Sequence, residues 1–221
     1  MCSLCLVKNN LVPVFVDVEP LSYCIDISQI EAQINEKTVA ILAPNLMGNL
    51  CDWPTIREIA DKFDLVVIED SADTMTYTQE TDVATTSFYA SHVITAGGQG
   101  GMVMFNDEKH KRRALSFRDW GRMGDDSEII DDRFNHKVDG IPYDHKFLYS
   151  VLGYNMKCSE MSAAFGLVQL ERFQTFKQKR RDNIERYLEN LKDVKEILLP
   201  DDSIKPNWLA IPLQTERRLE L

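Results

Sequence analysis

The chain has 221 residues, 44% of them apolar, enough for one large domain, or a domain plus part of another, with a sizeable core. Thirty-five acidic against 25 basic residues give a formal net charge of -10, which argues against nucleic acid or an anionic membrane as a partner. No run approaches the ~20 apolar residues of a membrane span, and the start "MCSLCLVKNN" lacks the zones of a secretory signal, so the cytoplasm is the expected compartment.

In chain order, "VPVFVDV" (Val12 to Val18) carries a strand pattern with almost no lead-in. "DISQIEAQI" reads as a helix capped by Asp26, with Gln29 three residues on as in a capping box. "VAILAP" (Val39 to Pro44) is the next strand. "DWPTIREIADKF" follows as a helix with Asp52 before a first-turn proline and an apolar stripe of Ile56, Ile59, Ala60 and Phe63. "DLVVIED" (Asp64 to Asp70) is a nearly continuous apolar run, as expected of a strand covered on both faces. This alternation predicts right-handed crossovers and a largely parallel sheet, an α/β fold.

Two further strands are expected around Ser87 to Ala90 and Gly101 to Phe105, then a helix over "DEKHKRRALSFRDWG" ending near Gly121. Arg122 to Tyr154 is loop-rich, with many Asp residues and aromatics and little periodicity; such long irregular segments are functional or disordered. A helix of over 30 residues starts from a Ser159 cap, a length that suggests a kinked or domain-linking helix. Its basic run "KQKRRD" is flanked by acids and reads as a solvated face.

Cys2, Cys5, Cys24, Cys51 and Cys158 are odd in number and irregularly spaced, which argues against a disulfide framework. Cys2 and Cys5 form a C-x-x-C without the second pair or histidines that a zinc site needs.

Ligands of open α/β sheets collect at the carboxyl ends of strands, which singles out Asp70. A carboxylate there can pair with a cationic ring nitrogen, bind a metal, or cap the next helix. Ser87 also lies at a strand, and His92 follows five residues on, in the turn before the glycines of "GGQGG". A serine hydroxyl with free backbone N–H groups makes a modest phosphate contact, and glycines permit close approach of a ligand. The same glycines could form only a tight turn, and His92 could be only a packed histidine.

The series "PVFVDVEPLSYCIDISQIEAQI", "VVIEDSADTM", "SFYASHVITAGGQGGMV", "SFRDWGR" and "GYNMKCSEMSAAFGLVQLERF" resembles, in order and spacing, the pyridoxal-phosphate-dependent nucleotide-sugar aminotransferases and dehydratases of the DegT/DnrJ/EryC1/StrS group. The likeness runs from about Leu11 to Leu191. It implies the large-domain portion of the aminotransferase type I fold, a mostly parallel sheet flanked by helices, in a homodimer whose active sites are shared. Residues 1–158 would be part of the large cofactor-binding domain, 159–192 the long linking helix, and 193–221 the start of a truncated small domain. The family's glycine-rich phosphate cradle belongs upstream of Leu11, so the chain is expected to be a fragment.

By the same resemblance Asp70 matches the aspartate that keeps the pyridine nitrogen protonated, and Ser87 a serine on the cofactor phosphate. Asn155 matches an asparagine that reaches the neighbouring subunit's cofactor. Asp73 falls where aminotransferases carry a glutamine beside the ring hydroxyl. His92 stands where they carry the lysine that holds the cofactor, a bond imidazole cannot make. A histidine there looks like the 3-dehydratase branch, which uses pyridoxamine phosphate on nucleotide-activated 4-keto-6-deoxyhexoses. The amine condenses with the C4 ketone, and His92 is the expected base for the C4' proton while the C3 hydroxyl leaves.

One dehydratase group, resembling the ascarylose-pathway enzyme, binds an iron–sulfur centre through cysteines just after "DWGR". Arg122 to Tyr154 contains no cysteine, so neither a cluster nor any other metal is expected. The other group, resembling the colitose-pathway dehydratase, works without a cluster and regenerates the amine from glutamate. A sugar aminotransferase and a noncatalytic homologue that keeps only the fold are the alternatives.

Overall fold

The structure, a computed structural model, describes residues 2–124 and 127–219. Four strands set its frame: β1 (Ala40–Pro44), β2 (Val66–Asp70), β3 (Val83–Ser87) and β4 (Gly101–Phe105), hydrogen-bonded in that order. The first three are parallel and β4 runs antiparallel beside β3. Burial alternates along β1, β2 and β3, so each places Ile41 and Ala43, Val67 and Glu69, or Ala84 and Thr86 on a fully covered face. The other face is only half-covered. The apolar run before Asp70 is therefore buried on one side, and Val66 stays exposed.

A short helix, α1 (Cys2–Lys8), precedes this frame where the sequence suggested no element. Next, Asp26 caps as expected, accepting from Ser28 N, and the Gln29 side chain donates to its carboxylate. The helix it starts is brief: a 3-10 turn at Ile27–Gln29, then α2 (Ile30–Gln33), ended where Ile34 turns extended.

The covered face belongs to α3 (Trp53–Lys62), whose Asp52 cap accepts from Thr55 N. Trp53, Ile56, Ile59 and Ala60 pack with Ile41, Ala43 and Val67 into one core. Ile56 is wholly buried, which contributes about 1.5–3 kcal/mol. Phe63 leaves the predicted stripe because it is the C-cap, with non-helical dihedrals, and it is exposed.

Val12 to Val18 forms no ladder. Only Val18 makes an isolated bridge, to Ile25, and Val12, Val14 and Phe15 are exposed. A strand needs a partner, Pro13 removes a donor, and no described strand lies alongside. The strand expected at Ser87 to Ala90 lies four residues earlier, at β3. Beyond β4, α4 (Glu108–Arg118) is capped by Asp107.

The loop-rich stretch holds a short helix, α5 (Ile130–Arg133), and a hairpin of β5 (His136–Val138) with β6 (Ile141–Tyr143). Its turn is Asp139-Gly140, both at positive φ, a hairpin signal present in the sequence. α6 (Glu160–Leu191) runs 32 residues, about 48 Å at 1.5 Å per residue, from a Ser159 cap that accepts from Ser162 N. No described helix is long and apolar enough to cross a membrane.

After α6 the chain returns to the sheet. Trp208 is buried, donating to Asn49 Oδ1 at 2.6 Å, and Leu209 N donates to Met47 O at 2.7 Å. Gly48 allows this approach: its φ is +105°, and a Cβ there would lie 2.7 Å from Asn207 O.

Candidate active site

The candidate residues gather where β2 and β3 end. In register, Pro44, Asp70 and Thr85 lie side by side, so Asp70, Thr85 and Ser87 share the half-covered face. Asp70 Oδ1 accepts from Ala72 N at 3.1 Å, which shapes the turn out of β2. Ser87 Oγ accepts from Tyr89 N at 3.3 Å, leaving its proton available to an acceptor.

The loop after β3 turns His92 back to this edge. Its N–H donates to Tyr89 O, and its ring meets Tyr89 edge-on, centroids 5.9 Å apart. Nε2 stands 4.0 Å from Asp73 Oδ1, while Nδ1 is buried with no partner among the described residues. Gly97, Gly98 and Gly100 all have positive φ, so these glycines serve the tight turn into β4.

Asp73 lies on the loop after β2, where its Oδ2 accepts from Met47 N at 2.8 Å. The structure thus brings Asp73 and His92 together and sets Asp70 and Ser87 on the same face. Asn155 is not among them. It is exposed on the segment leading into α6, in an antiparallel bridge with Asp119.

Sequence reasoning passed over Glu69. It is fully buried on the face opposite Asp70, among hydroxyls of the loop that follows. Burial pushes its carboxyl up, but hydrogen bonds from Ser71, Thr78 and Thr76 outweigh this and hold it below the usual carboxylate range. The density of Ser71, Thr74, Thr76, Thr78 and Thr81 after an apolar strand was its signal.

Chemically, the edge offers a carboxylate for a protonated ring nitrogen, a hydroxyl donor for an anion, and an imidazole with one nitrogen unspent. No group of three or more His, Cys, Asp or Glu among the described residues could hold a metal ion.

The mixed, mostly parallel sheet with polar residues at its carboxyl edge makes an α/β domain, and superposition on solved structures gives it the pyridoxal-phosphate-dependent aminotransferase fold. The 3-dehydratase of Escherichia coli that acts on GDP-4-keto-6-deoxy-D-mannose, solved with bound hydrated pyridoxal phosphate, is 26% identical. It superposes with a TM-score of 0.81 over 98% of this chain and 57% of its own. The chain belongs to the DegT/DnrJ/EryC1/StrS aminotransferase family, whose sequence model matches residues 2–220.

The lipopolysaccharide biosynthesis protein RfbH of Salmonella typhimurium is 40% identical over 94% of this chain and 51% of its own length. The dTDP-4-dehydro-2,6-dideoxy-D-glucose 3-dehydratase of Saccharopolyspora spinosa is 35% identical over 94% and 48%. Nucleotide-sugar transaminases occur among the further matches. The chain spans about half the length of these curated relatives.

Proposed function

We propose that the full-length protein is a dehydratase that removes the C3 hydroxyl of a nucleotide-activated 4-keto-6-deoxyhexose, in deoxysugar or surface-polysaccharide synthesis in the cytoplasm. The observation that carries this reading is His92, five residues beyond Ser87, with Nδ1 buried and without a partner among the described residues, at the edge that also holds Asp70. Buried polar atoms are nearly always paired, so an unspent nitrogen there suits a ligand. The 3-dehydratases among the relatives support it.

The residues present fit a pyridoxamine or pyridoxal phosphate cofactor. When bound, it supplies an amine for the sugar carbonyl and an electron-accepting ring. Asp70 would hold the proton on its ring nitrogen, Ser87 would donate to its phosphate, and Asp73 would be a further contact to it. His92 moves the proton as general base. Glutamate is the amino donor that restores the amine.

The protein works as a homodimer, in which exposed Asn155 reaches the partner's cofactor. Exposed Met161, Phe165 and Val168 on α6 support such an interface. Residues 1–158 form part of the cofactor-binding domain, 159–192 link it onward, and 193–221 begin the small domain.

With glutamate, pyridoxamine phosphate and a panel of nucleotide-activated 4-keto-6-deoxyhexoses, mass spectrometry of the products should show a 3-deoxy-4-keto sugar. A 4-amino sugar that keeps its C3 hydroxyl would select the aminotransferase reading instead, which the transaminase relatives favour.

The same protein is expected to assemble no iron–sulfur cluster, because residues 122–154 offer no thiolate ligand. Anaerobic reconstitution followed by iron analysis tests this; stoichiometric iron with a cluster spectrum would overturn it.

A further inference from the structure

Glu69 lies one residue before Asp70 but on the opposite face of β2, so the chemistry proposed above does not reach it. Its Oε1 accepts from Asn45 Nδ2 at 2.7 Å, Ser71 Oγ at 2.5 Å and Thr76 Oγ1 at 2.8 Å. Its Oε2 accepts from Thr78 N at 3.0 Å and Thr78 Oγ1 at 2.7 Å. Donors on both oxygens are the surroundings of an ionised carboxylate. Four of these donors belong to the loop after β2, the loop that carries Asp73.

The fifth donor connects Glu69 to a second segment. Asn45 Oδ1 accepts from Cys51 N at 3.0 Å and Trp53 Nε1 at 3.2 Å, which fixes its amide and the turn it begins. Inside that turn Met47 has φ +59°, a left-handed conformation that costs a non-glycine residue roughly 1 kcal/mol or more. Met47 is held at both ends: its N–H donates to Asp73 Oδ2, and its carbonyl accepts from Leu209 N. The free end of Asp73 is the oxygen 4.0 Å from His92 Nε2.

We propose that Glu69 is a positioning residue for this site. Through Asn45 on one side and Ser71, Thr76 and Thr78 on the other, it sets the loop after β2 against the turn at Met47. Asp73 is thereby kept on the Met47 N–H with its second oxygen turned to His92. The functional weight of this inference rests on His92 as the base. The geometry of the network does not, so its test begins on cofactor-free protein.

Glu69→Gln keeps the shape and removes the charge. Whichever way the new amide turns, its NH2 meets a group that can only donate, Asn45 Nδ2 on one side or the Thr78 N–H on the other. Amide hydrogen exchange in the full-length, cofactor-free protein should show Thr78 and Met47 exchanging about tenfold faster or more, with Leu42 and Ala84 in the sheet unchanged. Asp73→Ala, which removes the acceptor of the Met47 N–H, should speed Met47 and leave Thr78 alone.

In the loaded enzyme, whichever sugar reaction it runs, Glu69→Gln should lower kcat and leave the KM for the sugar within about twofold. An unchanged Met47 amide, equal acceleration at all four amides, or a raised KM at normal kcat each overturns the proposal. Should Glu69→Gln not fold, Thr78→Val decides. It keeps the backbone donor and removes one hydroxyl, and Met47 exchange must still rise, by a smaller factor, against a constant sheet.

Discussion

Replacing His92 by asparagine in the full-length protein is expected to leave pyridoxamine phosphate bound while exchange of the cofactor's C4' proton stops and dehydration falls about 10²- to 10⁴-fold, the usual contribution of a positioned general base. Asparagine retains hydrogen-bonding atoms near the imidazole's place but cannot take a proton. His92→Lys should behave differently, because its amine would stand five residues beyond Ser87, where the family's lysine stands. That variant should capture pyridoxal phosphate covalently, giving an adduct that borohydride makes permanent and mass spectrometry places at residue 92. A histidine kept only for packing, through its edge-on contact with Tyr89, predicts something else. Both variants would lose stability, and neither would change cofactor chemistry. Unchanged dehydration by His92→Asn refutes the base.

How much of this was legible beforehand follows from how local each interaction is. Asp26, Asp52 and Ser159 were readable as caps because each side chain bonds a backbone N–H two or three residues on. The Val12 to Val18 segment misled because alternation records a strand's preference and says nothing of whether a partner lies beside it. β3 lies at Val83–Ser87 because its pairing with β2 and β4, Thr85 against Asp70 and Val103, determines where the ladder stops. Side-chain type alone could not show that.

The site divides the same way. The placement of Ser87 and His92 was visible as a spacing of five residues, and Asp70 as the end of an apolar strand. That Asp73 reaches both Met47 and the neighbourhood of His92 depends on a turn 26 residues upstream. Glu69 is the extreme case. Its buried charge is tolerated only because Asn45, 24 residues away, and the hydroxyls of one loop converge on it. No short window of sequence contains that convergence.

Asp70 separates two roles that its position permits. If its carboxylate keeps the cofactor's ring nitrogen protonated, Asp70→Ala should cost on the order of 10³-fold in turnover or more, the scale of losing a preorganised electrostatic contact. The fold should survive. A bond within the protein that is lost runs from Ala72 N to Asp70 Oδ1, and one such bond is worth about 0.5–1.5 kcal/mol against a domain stability of about 5–15 kcal/mol. The strand end itself is held by backbone, through Asn45 N on Asp70 O at 2.9 Å, which the substitution leaves in place. Asp70→Asn sharpens the test, because its amide oxygen can still accept from Ala72 N while the negative charge is gone. A capping role predicts near-normal turnover for Asp70→Asn and a modest stability loss for Asp70→Ala. An electrostatic role predicts that both variants lose turnover alike, with circular dichroism unchanged. Near-normal turnover in either variant would leave Asp70 as a cap and move the partner of the ring nitrogen elsewhere.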